Sequence, residues 1–395
     1  MKILFLTFYY EPDLSAGSFR SKALVWALVD KISNNDHIEL LTTFPNRYAS
    51  YKRPVKRIEK TEKLSIVRFK IPEHKSGMLD QAISFISYYI QVIRYIRSKD
   101  YNIVYSTSSR LLTAYLGATI SKRKNIPLFL DIRDIFTDTL GSILKHSPLK
   151  FFIFVFKIIE KKTILSANRI NLVSEGFKEY FESLNSNAKF SYITNGIDDE
   201  FLHYNFRKTN ITEKKVITYA GNIGKGQGLE KIIPELSIVI GNQYLIQIFG
   251  DGGMRSTLEK RLKHLSITNV KINSPVNRTS LLQIYKESDY LLLHLNDYDA
   301  FNKVLPSKIF EYAATGKPII AGVSGYSRKF IRTNLGSNWL IFQPANISDF
   351  KMKFQNFNDQ CSINYVFTKS YNRATLMDKL ADEIIDCTLV AKNKS

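Results

Sequence analysis

Cysteine is scarce in this chain: its 395 residues include only Cys361 and Cys387. Both lie near the end of the sequence, and they form neither a CxxC pair nor another metal-ligand spacing. This excludes a disulfide framework and a zinc module, and it predicts a reducing compartment.

Long apolar runs are also missing. The apolar start at Met1–Tyr10 is short, and the polar Glu11-Pro12-Asp13 follows it at once. A buried first strand explains this start better than a signal peptide does. No other run supplies the roughly 20 apolar residues that a membrane-spanning helix needs. We therefore expect a cytoplasmic protein.

Acidic residues are few, with 36 Asp and Glu against 56 Lys and Arg, which leaves a net charge of +20. Such an excess indicates a polyanionic partner, namely nucleic acid, anionic lipid or phosphorylated substrates. The basic residues are spread over the chain, without zinc-finger spacing, an RNA-binding signature or a basic run interleaved with aromatics. Nucleic acid is therefore not expected as a partner.

Short apolar, β-rich runs alternate with helical stretches throughout, over a length that exceeds the roughly 250–300 residues of a single core. The pattern restarts near residue 200 after a polar linker. It predicts an α/β fold of two doubly wound, Rossmann-like domains facing each other across a cleft. Strands are predicted at Lys2–Tyr9, His37–Thr42, Leu64–Lys70, Asn102–Ser106, Pro127–Ile132, Arg169–Val173 and Phe190–Thr194, and then at Val216–Tyr219, Tyr244–Phe249, Val270–Ile272, Tyr290–Leu295, Pro318–Ala321 and Trp339–Phe342. Helices of the first half are predicted at Ser21–Lys31, Met78–Ser98, Leu111–Lys122, Lys150–Ser166 and Glu175–Ser183.

The loop Glu11–Arg20 connects the first strand to a helix expected to begin near Ser21. Its Gly17 lets the backbone approach a ligand closely, and amides at a helix start suit a phosphate. An ordinary loop capped by Ser15 or Ser18 explains the same residues.

The segment Asp131-Ile132-Arg133-Asp134 ends a strongly apolar strand. Three charges at that place are costly unless they pair with one another or face a ligand. A salt bridge of Arg133 with either aspartate and a binding role for at least one aspartate both remain open.

The loop Gly221–Gly228 contains four glycines and Lys225 and again follows a strand. It is a suitable cradle for a diphosphate. The pattern fits neither GxGxxG nor GxxxxGK[ST], which argues against a nicotinamide dehydrogenase and a P-loop enzyme.

The segment from Leu293 to Pro318 is the most informative. A helix is expected to start after Pro306, with Ser307 as its cap, amides directed at the cleft and the positive charge of Lys308 beside them. Glu311 lies one turn further along the same face, where a carboxylate accepts hydrogen bonds from hydroxyls. A surface helix with a Lys308–Glu311 ion pair is the alternative.

Asp297-Tyr298-Asp299 matches the D-x-D pattern with which some glycosyltransferases hold a divalent cation. A match of three residues is weak, and those enzymes usually have one nucleotide-binding domain. We expect no metal.

Together these segments resemble the retaining glycosyltransferases of family 4, which have the GT-B fold, and in particular the bacterial O-antigen and capsule branch that includes fucosamine transferases. The likeness covers nearly the whole chain. It rests on Ala16-Gly17…Arg20, Asp131–Asp134, Asn195-Gly196-Ile197-Asp198, Gly221–Gly228, Ile248–Gly252 and Pro306–Pro318.

The resemblance implies an acceptor-binding domain over residues 1–199, a nucleotide-sugar-binding domain over 200–370 and a final helix over 371–395 that crosses back to the first domain. No cofactor is expected besides the nucleotide-sugar co-substrate, with a UDP-sugar favoured over a GDP-sugar. The resemblance implies that the Gly17 amide binds the donor phosphate, that Lys225, Ser307 and Lys308 surround the diphosphate, and that Glu311 binds the ribose hydroxyls. We take Asp134, Lys225 and Lys308 as the candidate catalytic residues. Donor binding is assigned to Gly17, Asn222, Gln227, Asp299, Lys303, Ser307 and Glu311, and acceptor binding to Arg20, Asp131 and Arg133.

Two departures from the family pattern stand out. The family's pair of glutamates seven residues apart is reduced to Glu311, because the first position is Lys303. The usual Arg and Lys of the phosphate loop correspond to Asn222 and Gln227. We expect Asp297 or Asp299 to contact the sugar hydroxyls instead.

In this fold the departing phosphate itself is thought to take the acceptor proton, so the resemblance implies retention without a protein nucleophile. The implied acceptor is a saccharide linked to undecaprenyl diphosphate, used in building bacterial surface polysaccharide. Met78–Arg97 and Lys145–Lys162 combine aromatic or apolar residues with basic ones, which indicates peripheral docking on anionic lipid at the inner face of the cell membrane. Buried core helices are the alternative.

Two other functions fit the same double-domain pattern. One is a nucleotide-sugar isomerase, and the other is a binding protein without catalysis, which Lys303 favours slightly. Transfer assays separate both from a glycosyltransferase.

Overall fold

The computed structural model describes residues 1–47, 53–72, 78–108, 111–143, 152–209, 213–357 and 360–392. The chain divides into two compact units, one made of Met1–Asn195 with Arg373–Ser395 and the other of Gly196–Asn372. The division expected after residue 199 lies a few residues beyond the observed one.

The first unit is built on one mostly parallel sheet. Its strands are Lys2–Leu6 (β1), His37–Thr43 (β2), Ile58–Lys60 (β3), Leu64–Phe69 (β4), Ile103–Thr107 (β5), Leu128–Ile132 (β6), Arg169–Leu172 (β7) and Lys189–Ser191 (β8). Its helices up to residue 195 are Ala16–Lys31 (α1), Met78–Tyr95 (α2), Leu111–Lys124 (α3), Phe136–Ile143 (α4), Phe152–Leu165 (α5) and Lys178–Leu184 (α6). The strand order is β3-β4-β2-β1-β5-β6-β7-β8, and only the β3–β4 pair is antiparallel.

The second unit repeats this plan with a smaller, fully parallel sheet. Its strands are Lys215–Ala220 (β9), Tyr244–Phe249 (β10), Val270–Asn273 (β11), Tyr290–His294 (β12), Ile319–Gly322 (β13) and Trp339–Phe342 (β14). Its helices are Asp199–Leu202 (α7), Leu229–Ile240 (α8), Arg255–His264 (α9), Arg278–Glu287 (α10), Lys308–Thr315 (α11), Gly325–Asn334 (α12), Ile347–Phe354 (α13) and Tyr365–Ser370 (α14). The order β11-β10-β9-β12-β13-β14 is that of a doubly wound dinucleotide-binding sheet.

The last helix, Arg373–Lys392 (α15), belongs to the first unit. It packs on α1, where Lys31 Nζ lies 2.8 Å from the Asp382 carboxylate. The guanidinium of Arg169, at the start of β7, donates to the Glu383 carbonyl at 3.1 Å.

The predicted α/β fold class with two parallel-sheet domains is confirmed. The central strands are apolar because helices cover both faces of the sheet, and Ile3 to Leu6 of β1 are completely buried. In each sheet the strand order reverses at one point, between β1 and β5 and between β9 and β12. Ligands of open α/β sheets bind outside the carboxyl ends of the strands at such a point.

Some predicted elements need correction. Helix α1 begins at Ala16 rather than near Ser21, because Ser15 caps it by accepting a hydrogen bond from the Ser18 amide at 3.1 Å. The short edge strand β3 and helix α4 were not predicted. Residues 175–177 form a 3-10 turn before α6. Residues 145–151 of the predicted membrane segment lie outside the described residues.

No helix in the described ranges is long and apolar enough to cross a membrane.

Candidate functional site

The glycine-rich loop Gly221–Gly228 leaves β9 at the point where the order of the second sheet reverses. Gly221 has a φ of 151°, a conformation that favours glycine. A Cβ added there would collide with the ammonium group of Lys308, which lies 5.2 Å from the ring centre of Tyr219. The structure therefore brings together the predicted diphosphate loop and the predicted phosphate-binding lysine.

The loop is held by backbone contacts with the end of β10. The Gly221 amide donates to the Phe249 carbonyl at 2.8 Å, and the Ile223 amide donates to the Asp251 carbonyl at 2.8 Å. A Cβ at Gly250 would overlap the carbonyl oxygen of Gly221. A second glycine-rich turn, Gly250–Gly253, directly follows β10 and thus packs closely against the loop Gly221–Gly228.

Asn222 and Gln227, both assigned to donor binding, contact each other. The Asn222 side-chain amide donates to Gln227 Oε1 at 2.9 Å, and the Gly224 amide donates to the same oxygen at 3.3 Å. This bond closes the loop on itself. Both side chains are partly exposed, so a contact with the donor remains a prediction.

Two side chains at the end of β12, missed in the sequence, fix the other side of the loop. His294 is completely buried; its Nδ1 lies 2.6 Å from the Gln227 carbonyl oxygen, and its Nε2 accepts from the Ala345 amide at 3.0 Å. These partners require the neutral Nδ1–H form, and burial lowers the pKa of His294 to about 4. The side-chain amide of buried Asn296 donates to the Lys225 carbonyl at 2.7 Å.

Helix α11 starts at Lys308, directly after Ser307, as the sequence indicated. Ser307 occupies the N-cap position, but its side chain makes no capping hydrogen bond. The expectation that it caps the helix therefore needs correction. The amides of Ile309 and Phe310 donate to the carbonyl oxygens of Pro306 and Ser307, each at 3.2 Å, so this end attracts an anion through the positive end of the helix dipole.

Glu311 forms an ion pair with a residue that the sequence reading missed. Arg278, the first residue of α10, donates from Nη1 to Glu311 Oε1 at 2.7 Å and from Nη2 to Asp198. Nothing local marks Arg278 as special, because its partners lie far away along the chain. The alternative stated from the sequence was an ion pair with Lys308 on a surface helix, whereas Glu311 is buried and pairs with Arg278.

The remaining predicted donor residues surround the same end of the sheet. Asp297 and Asp299 are exposed after β12, and residues 299–303 form a 3-10 turn that ends at the partly exposed Lys303. Lys225 is exposed at the middle of the glycine loop. In the described residues, no group of three or more His, Cys, Asp or Glu side chains is close enough together to hold a metal ion.

The first unit carries a different kind of polar cluster. The Arg20 guanidinium binds both carboxylate oxygens of Asp131, at 2.8 and 3.0 Å, and both side chains are at most 1% exposed. Arg20 also donates to the carbonyl oxygens of Ile193 and Thr194, while Asn171 and Tyr105 donate to Asp131.

The assignment of Arg20 and Asp131 to acceptor binding therefore needs correction. Burial acts to raise the pKa of Asp131, but the charge and hydrogen bonds of Arg20 outweigh it and lower the pKa below the usual value. A charge pair that is buried and hydrogen-bonded to protein groups is not accessible to a substrate, and removing one partner would leave an uncompensated buried charge.

Arg133 and Asp134 differ from this pair because they are partly exposed. Arg133 donates to the Asn195 side chain at 3.1 Å rather than to a neighbouring aspartate. Asp134 Oδ1 is buried without a hydrogen-bond partner, and burial, together with the charge of Glu160, raises the pKa of Asp134 to about 7. Such a carboxyl can bind or release a proton near neutral pH.

Gly17 is the second residue of α1 and is buried. It lies in the first helical turn at the carboxyl end of β1, not in an extended loop. Its assignment to the donor phosphate stays a prediction.

Comparison with known proteins gives a family match within the second unit. A model described as "Glycosyl transferases group 1" matches residues 203–360. One curated relative, the putative colanic acid biosynthesis glycosyl transferase WcaI of Escherichia coli K12, is 30% identical over 114 residues. That match spans 29% of this chain and 28% of the relative. These matches support a glycosyltransferase.

Solved structures with a similar fold cover nearly the whole chain. Sucrose-phosphate synthase from Thermosynechococcus elongatus is 12% identical, with a TM-score of 0.70 over 100% of this chain and 98% of that one. WaaG, a glycosyltransferase of lipopolysaccharide biosynthesis, is 12% identical, with a TM-score of 0.64 over 96% and 95%. HepE of Anabaena, in complex with UDP, is 14% identical, with a TM-score of 0.59 over 100% and 99%. The fold is of the GT-B type.

Proposed function

We propose that this protein is a retaining, metal-independent glycosyltransferase that moves a sugar from a nucleotide-sugar to a lipid-linked saccharide in bacterial surface polysaccharide synthesis. The observation that carries the proposal is the contact between Lys308 and Gly221 at the reversal point of the second sheet. This site lies inside the region that matches the glycosyltransferase family model.

The donor diphosphate is proposed to lie between the glycine loop and the start of α11. Lys308, Lys225 and the positive end of the α11 dipole would then face the negative charge that develops on the leaving diphosphate. Groups fixed in advance at such a place stabilise a transition state more strongly than water does. The leaving phosphate would accept the acceptor proton as the new bond forms on the same face of the sugar.

We favour a UDP-sugar as the donor, because the similar structure of HepE holds UDP. The sugar hydroxyls are assigned to Asp297 and Asp299, which are exposed beside this site. An Asp297→Ala/Asp299→Ala double variant should lose donor affinity and turnover. Unchanged values for both would remove this assignment.

For the acceptor we retain Arg133 and Asp134 in the first unit. They are partly exposed at the carboxyl end of β6, and Asp134 has a buried oxygen without a partner. A saccharide would contact the exposed parts of these two side chains. An acceptor linked to undecaprenyl diphosphate fits the strong positive charge of the chain.

Peripheral docking on anionic lipid is proposed through α2 and α5. One side of α2 is buried, whereas Ile83 and Ile86 are each 55% exposed and Ile90 is 42% exposed. On α5, Phe154 is 65% exposed and lies one turn before the exposed Lys157. Exposed apolar stripes next to basic residues are typical of helices that lie in a membrane interface.

Flotation with liposomes tests this docking. The chain should float with vesicles that contain phosphatidylglycerol and stay behind with pure phosphatidylcholine. An Ile83→Glu/Ile86→Glu variant should lose flotation, whereas Leu265→Glu, which changes an exposed apolar residue of the second unit, should keep it. Docking through α2 would be contradicted if all three proteins floated equally, or if the wild-type chain floated with neither kind of vesicle.

A panel of UDP- and GDP-sugars, ranked first by thermal shift with the free nucleotides, tests the activity itself. Release of the nucleoside diphosphate with transfer to a saccharide acceptor or to water is expected, with the anomeric configuration retained in the product. EDTA should leave the rate unchanged. Interconversion of nucleotide-sugars without release would instead indicate an isomerase, and binding without turnover would indicate a non-catalytic protein.

A further inference from the structure

Three charged side chains from three separate segments meet in the second unit. Arg278 begins α10, Glu311 lies in α11, and Asp198 directly precedes α7. Arg278 Nη1 donates to Glu311 Oε1 at 2.7 Å, and Arg278 Nη2 contacts Asp198 Oδ2. The guanidinium carbon lies 4.4 Å from the ring centre of Phe201, which is completely buried.

This arrangement answers an electrostatic problem. The side chains of Glu311 and Asp198 are only 11% and 22% exposed, and both contact Arg278. Without the positive charge of Arg278 between them, the two carboxylates would repel each other. A guanidinium suits this position because its planar fork binds two acceptors in fixed directions and stacks on an aromatic ring. The ammonium group of a lysine lacks that geometry.

The contact also determines how Glu311 is oriented. Within the described residues, the side chain of Glu311 makes its hydrogen bond through Oε1, with Arg278 as the donor. The other oxygen, Oε2, is left for a ligand. Glu311 follows Lys308 by three residues, so both side chains lie on the same face of α11.

We propose that Arg278 is a positioning residue for donor binding: it holds Glu311 through Oε1, so that Oε2 receives the ribose hydroxyls of the nucleotide. The proposal rests on the proposed function, because it takes Glu311 as the carboxylate that binds the ribose of the donor nucleotide, as the family resemblance implies. Asp198 acts on the far side of the guanidinium and fixes its rotation. Arg278 itself does not touch the nucleotide.

Binding of nucleoside diphosphates with and without a ribose hydroxyl tests this role. Isothermal titration compares UDP, GDP and ADP with their 2′-deoxy counterparts on the full chain. For the nucleotide that binds best, wild type should prefer the ribose form. Arg278→Met should lose about 10- to 100-fold in affinity for that form, by analogy with the loss seen when a residue that orients a metal ligand is removed. Affinity for the 2′-deoxy form should change less, so the preference shrinks.

Other variants make the result specific. Glu311→Gln should lose the same preference. Arg278→Lys, which retains the charge but reaches one carboxylate, should give an intermediate preference and decides the question if Arg278→Met does not fold. Lys260→Ala, an exposed lysine of α9, serves as the control and should bind as wild type does.

The outcomes distinguish the two levels of the argument. If Glu311→Gln loses the ribose preference while Arg278→Met and Arg278→Lys keep it, the positioning role is overturned and the donor site stands. If wild type binds none of the three nucleotides, or Glu311→Gln binds them with an unchanged preference, the proposed donor site is itself overturned.

Discussion

Both units place charged residues near the carboxyl ends of their parallel strands and use them differently. In the first unit, Arg20 and Asp131 are buried at the carboxyl ends of the strands, and their polar atoms bond to protein groups. In the second, Lys308 lies against a glycine backbone beside a partly exposed loop. A charged residue after a strand is therefore no sufficient sign of a binding site. What distinguishes the two cases is burial: Arg20 and Asp131 are completely covered by the protein, whereas Lys308 is partly exposed beside the glycine loop.

The largest effect is expected when one partner of the buried pair is removed. Asp131→Ala should destabilise the protein by about 3–5 kcal/mol, because the Arg20 guanidinium is then left buried without its counter-charge. Urea unfolding measures the loss. Asp100→Ala, an exposed aspartate of the same unit, is the control and should change stability by less than about 0.5 kcal/mol. A loss of that small size for Asp131→Ala as well would show that the pair is not structural.

Lys308 tests the opposite side of the comparison. Lys308→Ala should reduce turnover by about 10²-fold, the usual effect of removing one donor to a developing anion. Its thermal unfolding should stay close to that of wild type. Lys260→Ala should leave turnover unchanged. A loss of less than threefold for Lys308→Ala would contradict its role at the diphosphate.

The support of the glycine loop is tested by two neighbouring glycines. Gly250→Ala should cost about 1–3 kcal/mol and weaken donor binding, because its Cβ would overlap the backbone oxygen of Gly221. Gly253→Ala is the matched control, since a Cβ there meets no atom within 4 Å. Equal stability and donor affinity in the two variants would mean that the loop adapts without cost.

The sequence predicted the second unit better than the first. All six strands of the second sheet were expected within two residues of their ends, because each is an apolar run followed by a glycine or polar loop. Strand β3 was missed because Ile58-Glu59-Lys60 is short, polar and antiparallel at an edge. The start of α1 was misplaced because Gly17 was interpreted as a loop residue, whereas Ser15 already caps the helix there.

Site residues were predictable where the chemistry is local. Gly221 could be selected because a glycine-rich loop follows a strand there, and Ser307 and Lys308 because a helix was expected to start after Pro306. Arg278 could not be found this way, because its partners Asp198 and Glu311 lie on other elements. The burial of Arg20 could not be predicted either, because the carbonyl groups that it binds belong to Ile193 and Thr194, far away along the chain.

The smallest expected effect concerns Asp134. Its pKa is raised from 3.8 to about 7, first by burial, so between about pH 4 and pH 7 the folded protein keeps a proton that the unfolded chain has lost. Stability contributed by this group therefore falls as the pH rises through that window. Asp134→Asn removes the effect and should gain stability relative to wild type, on the order of 1 kcal/mol, from pH 6 to pH 7. Urea unfolding at both pH values measures it, with Asp100→Asn as the control. An identical difference from wild type at the two pH values would contradict the raised pKa.

Hydrogen–deuterium exchange of the full chain shows most directly whether a nucleoside diphosphate binds between the glycine loop and the start of α11. Exchange is followed by mass spectrometry with and without saturating UDP, or the nucleoside diphosphate that binds best. We expect slower exchange with the nucleotide bound in residues 221–228 and 306–311, where the loop and the start of α11 hold the diphosphate. If saturating nucleotide protects only residues of the first unit, or leaves exchange unchanged in both segments, the diphosphate does not bind at this place.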